Sequence, residues 1–314
     1  MYSLPFPVRN VATIALAFGF IVTFMEKAQV LHAAPVLDLT GYSVIFFEDF
    51  DTLSLRTGGP TRAGYASGSG IWTPRYYWSK NPKGDTHDKE YAWLVDPAYT
   101  WGDGYPASGQ FSVSNSILTI RAESTPPSLI GKIPDRTVGN PYPWVSGILS
   151  TANSFSFKAP IYAEARIKVP KGTALWPAFW MWAVNRNFNN EIDVVEIVNT
   201  TTNKSSAAIH WQNPIQDADT GPIDRGVDLS LAYHTYGVQW TATDFNFYID
   251  GYLIWTHSVP VDWEETYMFM YLGFAVGGPL PGVPPDKTTP DPSDLLVDWV
   301  RVWGTAATPY LNTP

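Results

Sequence analysis

The feature that most constrains this chain is its rhythm. From Gly109 onward it is written in short runs whose side chains alternate between apolar and polar, each closed off by Gly, Pro, Asn or Asp. Residues 109–113, 117–121, 162–169, 236–240, 245–251 and 297–303 all read this way. In an extended strand successive side chains point to opposite faces, so alternation of this kind gives one buried and one exposed surface. No stretch repeats as an amphipathic helix over three turns. Many short strands separated by turn residues predict an all-β sandwich or barrel. Asp250-Gly251, lying between two runs, predicts a tight hairpin. In residues 162–169 the rule puts Ala163, Ala165, Ile167 and Val169 on a core face, with Tyr162, Glu164, Arg166 and Lys168 on a polar one. In the last run it sends Val297, Trp299, Arg301 and Trp303 one way, and Asp298, Val300 and Val302 the other. A lone carboxylate on the side of two valines needs an ion-pair partner or a bound cation.

Composition removes several classes of function. The chain has no cysteine, which excludes a disulfide framework, a thiolate metal site and a cysteine nucleophile. A formal net charge of −9, with no clustered Lys or Arg, argues against a nucleic-acid partner. With 314 residues and 45% hydrophobic content, one large core is the default. The 14 Trp and 17 Tyr fit two readings, an aromatic-rich sheet core or a groove of flat surfaces suited to sugar rings. At the N-terminus, Arg9 precedes an apolar stretch over residues 11–25, followed by small residues around His32-Ala33-Ala34-Pro35. That order is the one found in secretory leaders, with a retained signal anchor as the alternative. Residues 1–34 are therefore expected to be a signal peptide and 35–314 a single secreted domain, extracellular or periplasmic, without stable membrane insertion. The proline-rich segments 126–143 and 279–292 are expected to be long surface loops, either of which could wall a cleft.

One hexapeptide breaks the rhythm. Glu191-Ile192-Asp193-Val194-Val195-Glu196 carries three carboxylates in an apolar strand. Residues two apart share a face, so Glu191 and Asp193 point together while Glu196 would fall on the opposite, core side. An isolated carboxylate there would be costly. One extra residue at Val194–Val195, a β-bulge, shifts the phase and returns Glu196 to the face of the other two. Two glutamates flanking a bond suit retaining glycoside hydrolysis, in which one attacks the anomeric carbon and the other protonates the leaving oxygen and later activates water. That chemistry asks for carboxyl groups about 5–5.5 Å apart. A solvent-facing strand with incidental acids and a cation site are the alternatives. Upstream, Trp176, Trp180 and Trp182 share one strand face.

With these pieces in hand, the sequence resembles glycoside hydrolase family 16 in its laminarinase-like, bulge-containing branch. The resemblance is carried by residues 191–196, by Trp176-Pro177-Ala178-Phe179-Trp180-Met181, and by residues 162–170. His210-Trp211 and residues 234–240, 247–251 and 297–303 complete it, in the family's order. It implies a β-jelly roll of two curved antiparallel sheets with a concave substrate cleft, acting as an endo-acting retaining β-glycanase on β-linked polysaccharide. It implies Glu191 as nucleophile, Asp193 as its assisting carboxylate and Glu196 as general acid/base. Trp176 and Trp180 would be sugar platforms, His210 a support for the acids and Trp144 a further substrate contact. The chemistry needs no cofactor. A structural calcium held by Asp298 with Asp49 is implied, a salt bridge being the equal alternative, and a monomer is expected.

Two segments depart from the laminarinase pattern. Ser146-Gly147-Ile148-Leu149-Ser150 stands where laminarinases often carry Gly-Arg, so an arginine contact to substrate is expected to be missing. Residues 101–111 and 142–147 look more like the bacterial exopolysaccharide-processing glycanases of the same family. The expected substrate is therefore β-1,3- or mixed β-1,3/1,4-glucan or a related exopolysaccharide. A non-catalytic carbohydrate-binding jelly roll and a transglycosylase using the same acids are the rival readings.

Overall fold

The alternating runs become the strands of two stacked sheets in a computed structural model. It describes residues 36–312 apart from 57–67, 80, 82, 87–88, 100, 103, 138, 186–188 and 213. The leader expected over residues 1–34 lies outside the described residues. The architecture is all-β, a jelly-roll sandwich, with one short 3-10 turn at Pro127–Leu129 among the described residues. No helix among them is long and apolar enough to cross a membrane.

An eleven-stranded sheet runs in the order Tyr252–Ser258, Asp244–Ile249, His234–Trp240, Ile161–Lys168, Ser293–Gly304, Ile117–Ser124, Trp144–Ser146, Ala92–Val95 and Gly84–Asp85. Ser43–Glu48 joins it along Ser293–Gly304, and Phe111–Ser114 along Ile117–Ser124. The second, nine-stranded sheet runs Gln216–Asp219, Lys204–Trp211, Glu191–Glu196, Leu175–Ala183, Met268–Val276, Phe155–Phe157 and Tyr310–Asn312, with Ile223–Asp224 and Ile148–Ser150 attached at its sides. Pairing is antiparallel except between Ala92–Val95 and Trp144–Ser146.

The core lies between the sheets. Ile161, Ala163, Ala165 and Ile167 of one sheet belong to the same buried cluster as Phe179, Met181, Ile192, Ile209, Met270 and Leu272 of the other. Each set occupies alternate positions of its strands, so burying one face of each sheet leaves the other face of the nine-stranded sheet available for a site. The Asp250-Gly251 hairpin forms as the dipeptide predicts, with φ of 51° and 76°. Both values lie in the left-handed region that a tight hairpin demands.

Two expectations are corrected by packing on the outer face of the eleven-stranded sheet. Tyr162 and Glu164, expected on a polar face, are buried. The Tyr162 ring lies against Tyr248 and Trp303, and its hydroxyl donates to Glu164 Oε1 at 2.7 Å. Gly237, paired across from Glu164, leaves the room for this, because a Cβ there would sit 2.2 Å from Tyr162 Oη. Burial pushes the Glu164 carboxyl above its usual range, against the hydrogen bonds that favour its charge. The second correction concerns Asp298. Arg166 pairs with Trp299 and Ile167 with Val297, so Asp298 is the extra residue of a bulge. The phase shift buries both Val297 and Val300 and turns Asp298 and Trp299 outward together, which removes the lone carboxylate from the valine side.

Candidate active site

The acid strand Glu191–Glu196 sits between the tryptophan strand Leu175–Ala183 and Lys204–Trp211. Trp182 pairs with Glu191 and Trp180 with Asp193, but Phe179 pairs with Val195 and Ala178 with Glu196. Val194 is thus the residue without a partner in the ladder, a bulge where the phase problem required one. On the other side the ladder breaks at the same place, between Asp193–Ala208 and Glu196–Ser206. Ile192, Val194 and Val195 all join the core, while Glu191, Asp193 and Glu196 line one cleft.

The cleft has a volume of ≈790 Å³. Trp176, Ala178, Trp180 and Trp182 come to it from alternate positions of the tryptophan strand, and Gly273 and Ala275 from the strand on its far side. Trp176 does more than offer a ring: its Nε1 donates to Glu196 Oε1 at 2.9 Å. A neutral donor on one oxygen fixes the direction of that carboxyl group, as positioned proton transfer requires. Trp180 is only 8% exposed, stacked on Tyr271 with centroids 4.1 Å apart. Trp182 and Trp78 pack against each other at 5.0 Å and extend the aromatic wall.

Asp193 is 5% exposed and lies 3.1 Å from His210 Nε2. Burial alone would push the His210 imidazole down. The hydrogen bond to Asp193, with the charges of Asp193, Glu196 and Asp217, outweighs it, and His210 is held above the usual histidine range. A more readily charged imidazole beside Asp193 compensates part of the negative charge crowded into the row.

Trp144 does not join this group. It is 6% exposed, packs in the core cluster, and is not among the residues lining the cleft. The substrate contact implied by the resemblance is not open to Trp144 here, because Trp144–Ser146 is buried throughout. Asp298 and Asp49 lie in the other sheet region, each held by a guanidinium: Arg166 pairs with Asp298, and Arg301 Nη2 reaches Asp49 Oδ1 at 3.2 Å. This is the salt-bridge alternative, and a carboxylate already facing a guanidinium fits a cation poorly. Among the described residues no group of three or more His, Asp or Glu side chains comes together to hold a metal.

Sequence reasoning missed the opposite wall. Leu94 comes to the cleft from Ala92–Val95, which is buried on both faces and so shows no alternation, and Tyr76, Trp78 and Glu90 come to it from outside the described strands. Asn189, Ile215, Pro279 and Leu280 add to its lining, the last two from the proline-rich segment expected to wall a cleft.

The model of the glycosyl hydrolases family 16 matches residues 107–301, which include the whole acid strand and its neighbours. The chain belongs to glycosyl hydrolase family 16. Among curated family relatives, the endo-1,3-1,4-β-glycanases ExsH and EglC of Rhizobium meliloti are each 30% identical, over 90% and 92% of this chain. The chain spans 56% and 58% of their lengths, somewhat over half. In fold it is similar to the laminarinase catalytic domain of Thermotoga maritima, with a TM-score of 0.60 at 22% identity, covering 84% of this chain and 98% of that one. The endo-β-1,3-glucanase of Pyrococcus furiosus gives 0.59 at 23%, covering 88% and 99%.

Proposed function

We propose that this family 16 chain is a secreted, endo-acting, retaining β-glycanase that hydrolyses β-1,3- or mixed β-1,3/1,4-glucan or a related exopolysaccharide. The observation that carries the reading is the bulge at Val194, which brings Glu191, Asp193 and Glu196 to one face of an aromatic-walled cleft. A binding module would need the aromatics and no acid row. The names of the endo-1,3-1,4-β-glycanase relatives support the substrate class, and the leader-like order of residues 1–34 supports secretion.

In this mechanism Glu191 attacks the anomeric carbon while Glu196 gives its proton to the glycosidic oxygen, so the bond to the leaving sugar breaks as a covalent glycosyl-enzyme forms. Glu196, now a carboxylate, takes a proton from water, which attacks the same carbon and releases Glu191. Trp176 Nε1 holds Glu196 in place through both steps. Asp193, buried and tied to His210, orients the nucleophile from the adjoining position of the strand.

The test is a reducing-sugar assay of the wild type and Glu191→Gln on laminarin, lichenan, agarose, carrageenan and an acidic bacterial exopolysaccharide. Release from a β-glucan by the wild type alone supports the reading. Binding without release, unchanged in Glu191→Gln, supports a carbohydrate-binding module instead.

A further inference from the structure

Three residues past the acid row, Asn199 makes a hydrogen bond with each polar group it has. Its backbone N–H donates to Leu175 O at 3.0 Å, and its carbonyl accepts from Gly172 N at 3.3 Å. Its side-chain Oδ1 accepts from Ala174 N at 2.7 Å, and its Nδ2 donates to Pro281 O at 3.0 Å. The φ of 59° lies in the left-handed region, which Asn tolerates better than most side chains. Buried Ala174 carries the connection on, because its carbonyl accepts from Gly277 N at 2.7 Å. Asn199 thus clasps two segments at once: the turn that enters the tryptophan strand and the loop 277–282 that leaves Met268–Val276. Gly282 N closes that loop onto Gly278 O at 3.1 Å.

What the clasp holds is part of the cleft. Pro279 and Leu280 line the cavity, and Leu280 is 44% exposed, while Pro281, whose carbonyl Asn199 holds, is buried. Glu196 stands opposite Ala178, Trp176 stands opposite Ala275, and the loop follows Val276. The rim is therefore at the Glu196 end of the acid row, past Trp176. An exposed Pro and Leu on a fixed loop offer an apolar patch, and the C–H face of a pyranose ring is the part of an uncharged sugar that such a patch covers. We propose that Pro279 and Leu280 form a sugar-contacting rim that extends the substrate site, and that Asn199 is the positioning residue that holds it. A rim already in place spares the bound chain the cost of ordering the loop. This rests on the β-glycanase reading and deepens it: chains long enough to reach the rim gain affinity, and the gain shows in KM rather than kcat.

The experiment is steady-state kinetics on the better substrate of laminarin and lichenan, and on its oligosaccharides of increasing length. Asn199→Gly accommodates the positive φ and removes both side-chain bonds, whereas Asn199→Asp keeps an acceptor for Ala174 N and loses the donor to Pro281 O. Leu280→Ala should raise KM for the polymer roughly fivefold, the order expected when part of a Leu side chain is covered on binding. Both Asn199 variants should raise it at least as much. All three should flatten the fall of KM with chain length that the wild type shows, and Asn199→Gly with Leu280→Ala should add little to the larger single effect. General destabilisation would lower the melting temperature and the active fraction but leave KM and its length dependence in place. An unchanged KM in Leu280→Ala, with the wild type active, would overturn the rim. A KM raised in Asn199→Gly and not in Asn199→Asp would overturn the clasp, because the effect would then belong to the turn at Ala174. A wild type inactive on every substrate would instead remove the β-glycanase reading itself. Should Asn199→Gly fail to fold, Asn199→Asp decides the clasp and Leu280→Ala, at an exposed position, decides the rim.

Discussion

Replacing Trp176 by Phe separates two roles that one side chain combines. The substitution keeps an aromatic ring against the cleft, though a smaller one, and removes the Nε1 donor that reaches Glu196 Oε1 at 2.9 Å. A hydrogen bond to a group that is charged for part of the cycle contributes about 1.5–3 kcal/mol. If that interaction positions Glu196 for proton transfer, its loss falls on the barrier, and at about 1.36 kcal/mol per decade it lowers kcat/KM about ten- to a hundredfold. The smaller ring costs some stacking as well, but stacking binds ground and transition states alike and shows mainly in KM. The assay is steady-state kinetics on the best soluble β-glucan for the wild type, Trp176→Phe, Glu196→Gln and the double variant. Once Glu196 is neutralised, the Phe substitution should have little left to remove, so the two effects should fail to add. Trp176→Phe with kcat within about twofold of wild type, or full additivity in the double variant, would refute the positioning role and leave Trp176 a sugar platform only.

Other outcomes follow from the same geometry. Asp193→Asn should lower the His210 pKa, because burial then acts without the carboxylate that outweighs it, and histidine-selective NMR titration reads the shift directly. His210 lies above its unfolded value near 6.5, so its stabilisation is fully present below that pH and lost as pH rises through the folded value. The melting-temperature difference between wild type and His210→Gln should therefore be larger at acidic than at alkaline pH. Trp144→Ala should cost about 3–5 kcal/mol in urea unfolding, as expected of a buried aromatic, while Trp144→Phe should leave KM for polymer nearly unchanged. Asp96→Asn should be strongly destabilising in the same assay, by up to about 3–5 kcal/mol, because it removes a carboxylate that pairs with the buried Arg75 guanidinium and leaves Asp85 as the charge still acting on it.

How much of this was legible in the sequence depended on whether a strand has one wet face. Where it does, period-two alternation is a direct record of burial, and the tryptophan strand, the hairpin at Asp250-Gly251 and the core face of Ile161–Lys168 follow from it. The bulge at Val194 was legible for the same reason: the alternation broke at a carboxylate, and only an added residue could repair it. The bulge at Asp298 is the same device, but an ion pair or a bound cation answered a carboxylate on the valine side equally well, so the pattern did not require an added residue. Strands buried on both faces carry no alternation, which hid the place of Ala92–Val95 beside the cleft and left nothing in the pattern to mark Trp144 as buried against the resemblance. Tyr162 and Glu164 were misplaced because a second layer of aromatic rings covers a face that alternation alone marks as polar.

The most direct test of the acid row as a retaining apparatus is the anomeric form of the first product, followed by proton NMR during early hydrolysis of mixed-linkage β-glucan. Double displacement through Glu191 releases the β-anomer first, with the α-anomer growing in only by mutarotation, and Glu191→Gln releases neither. Initial release of the α-anomer, or β-anomer release that survives Glu191→Gln, would contradict the assignment of Glu191 as nucleophile and Glu196 as acid/base.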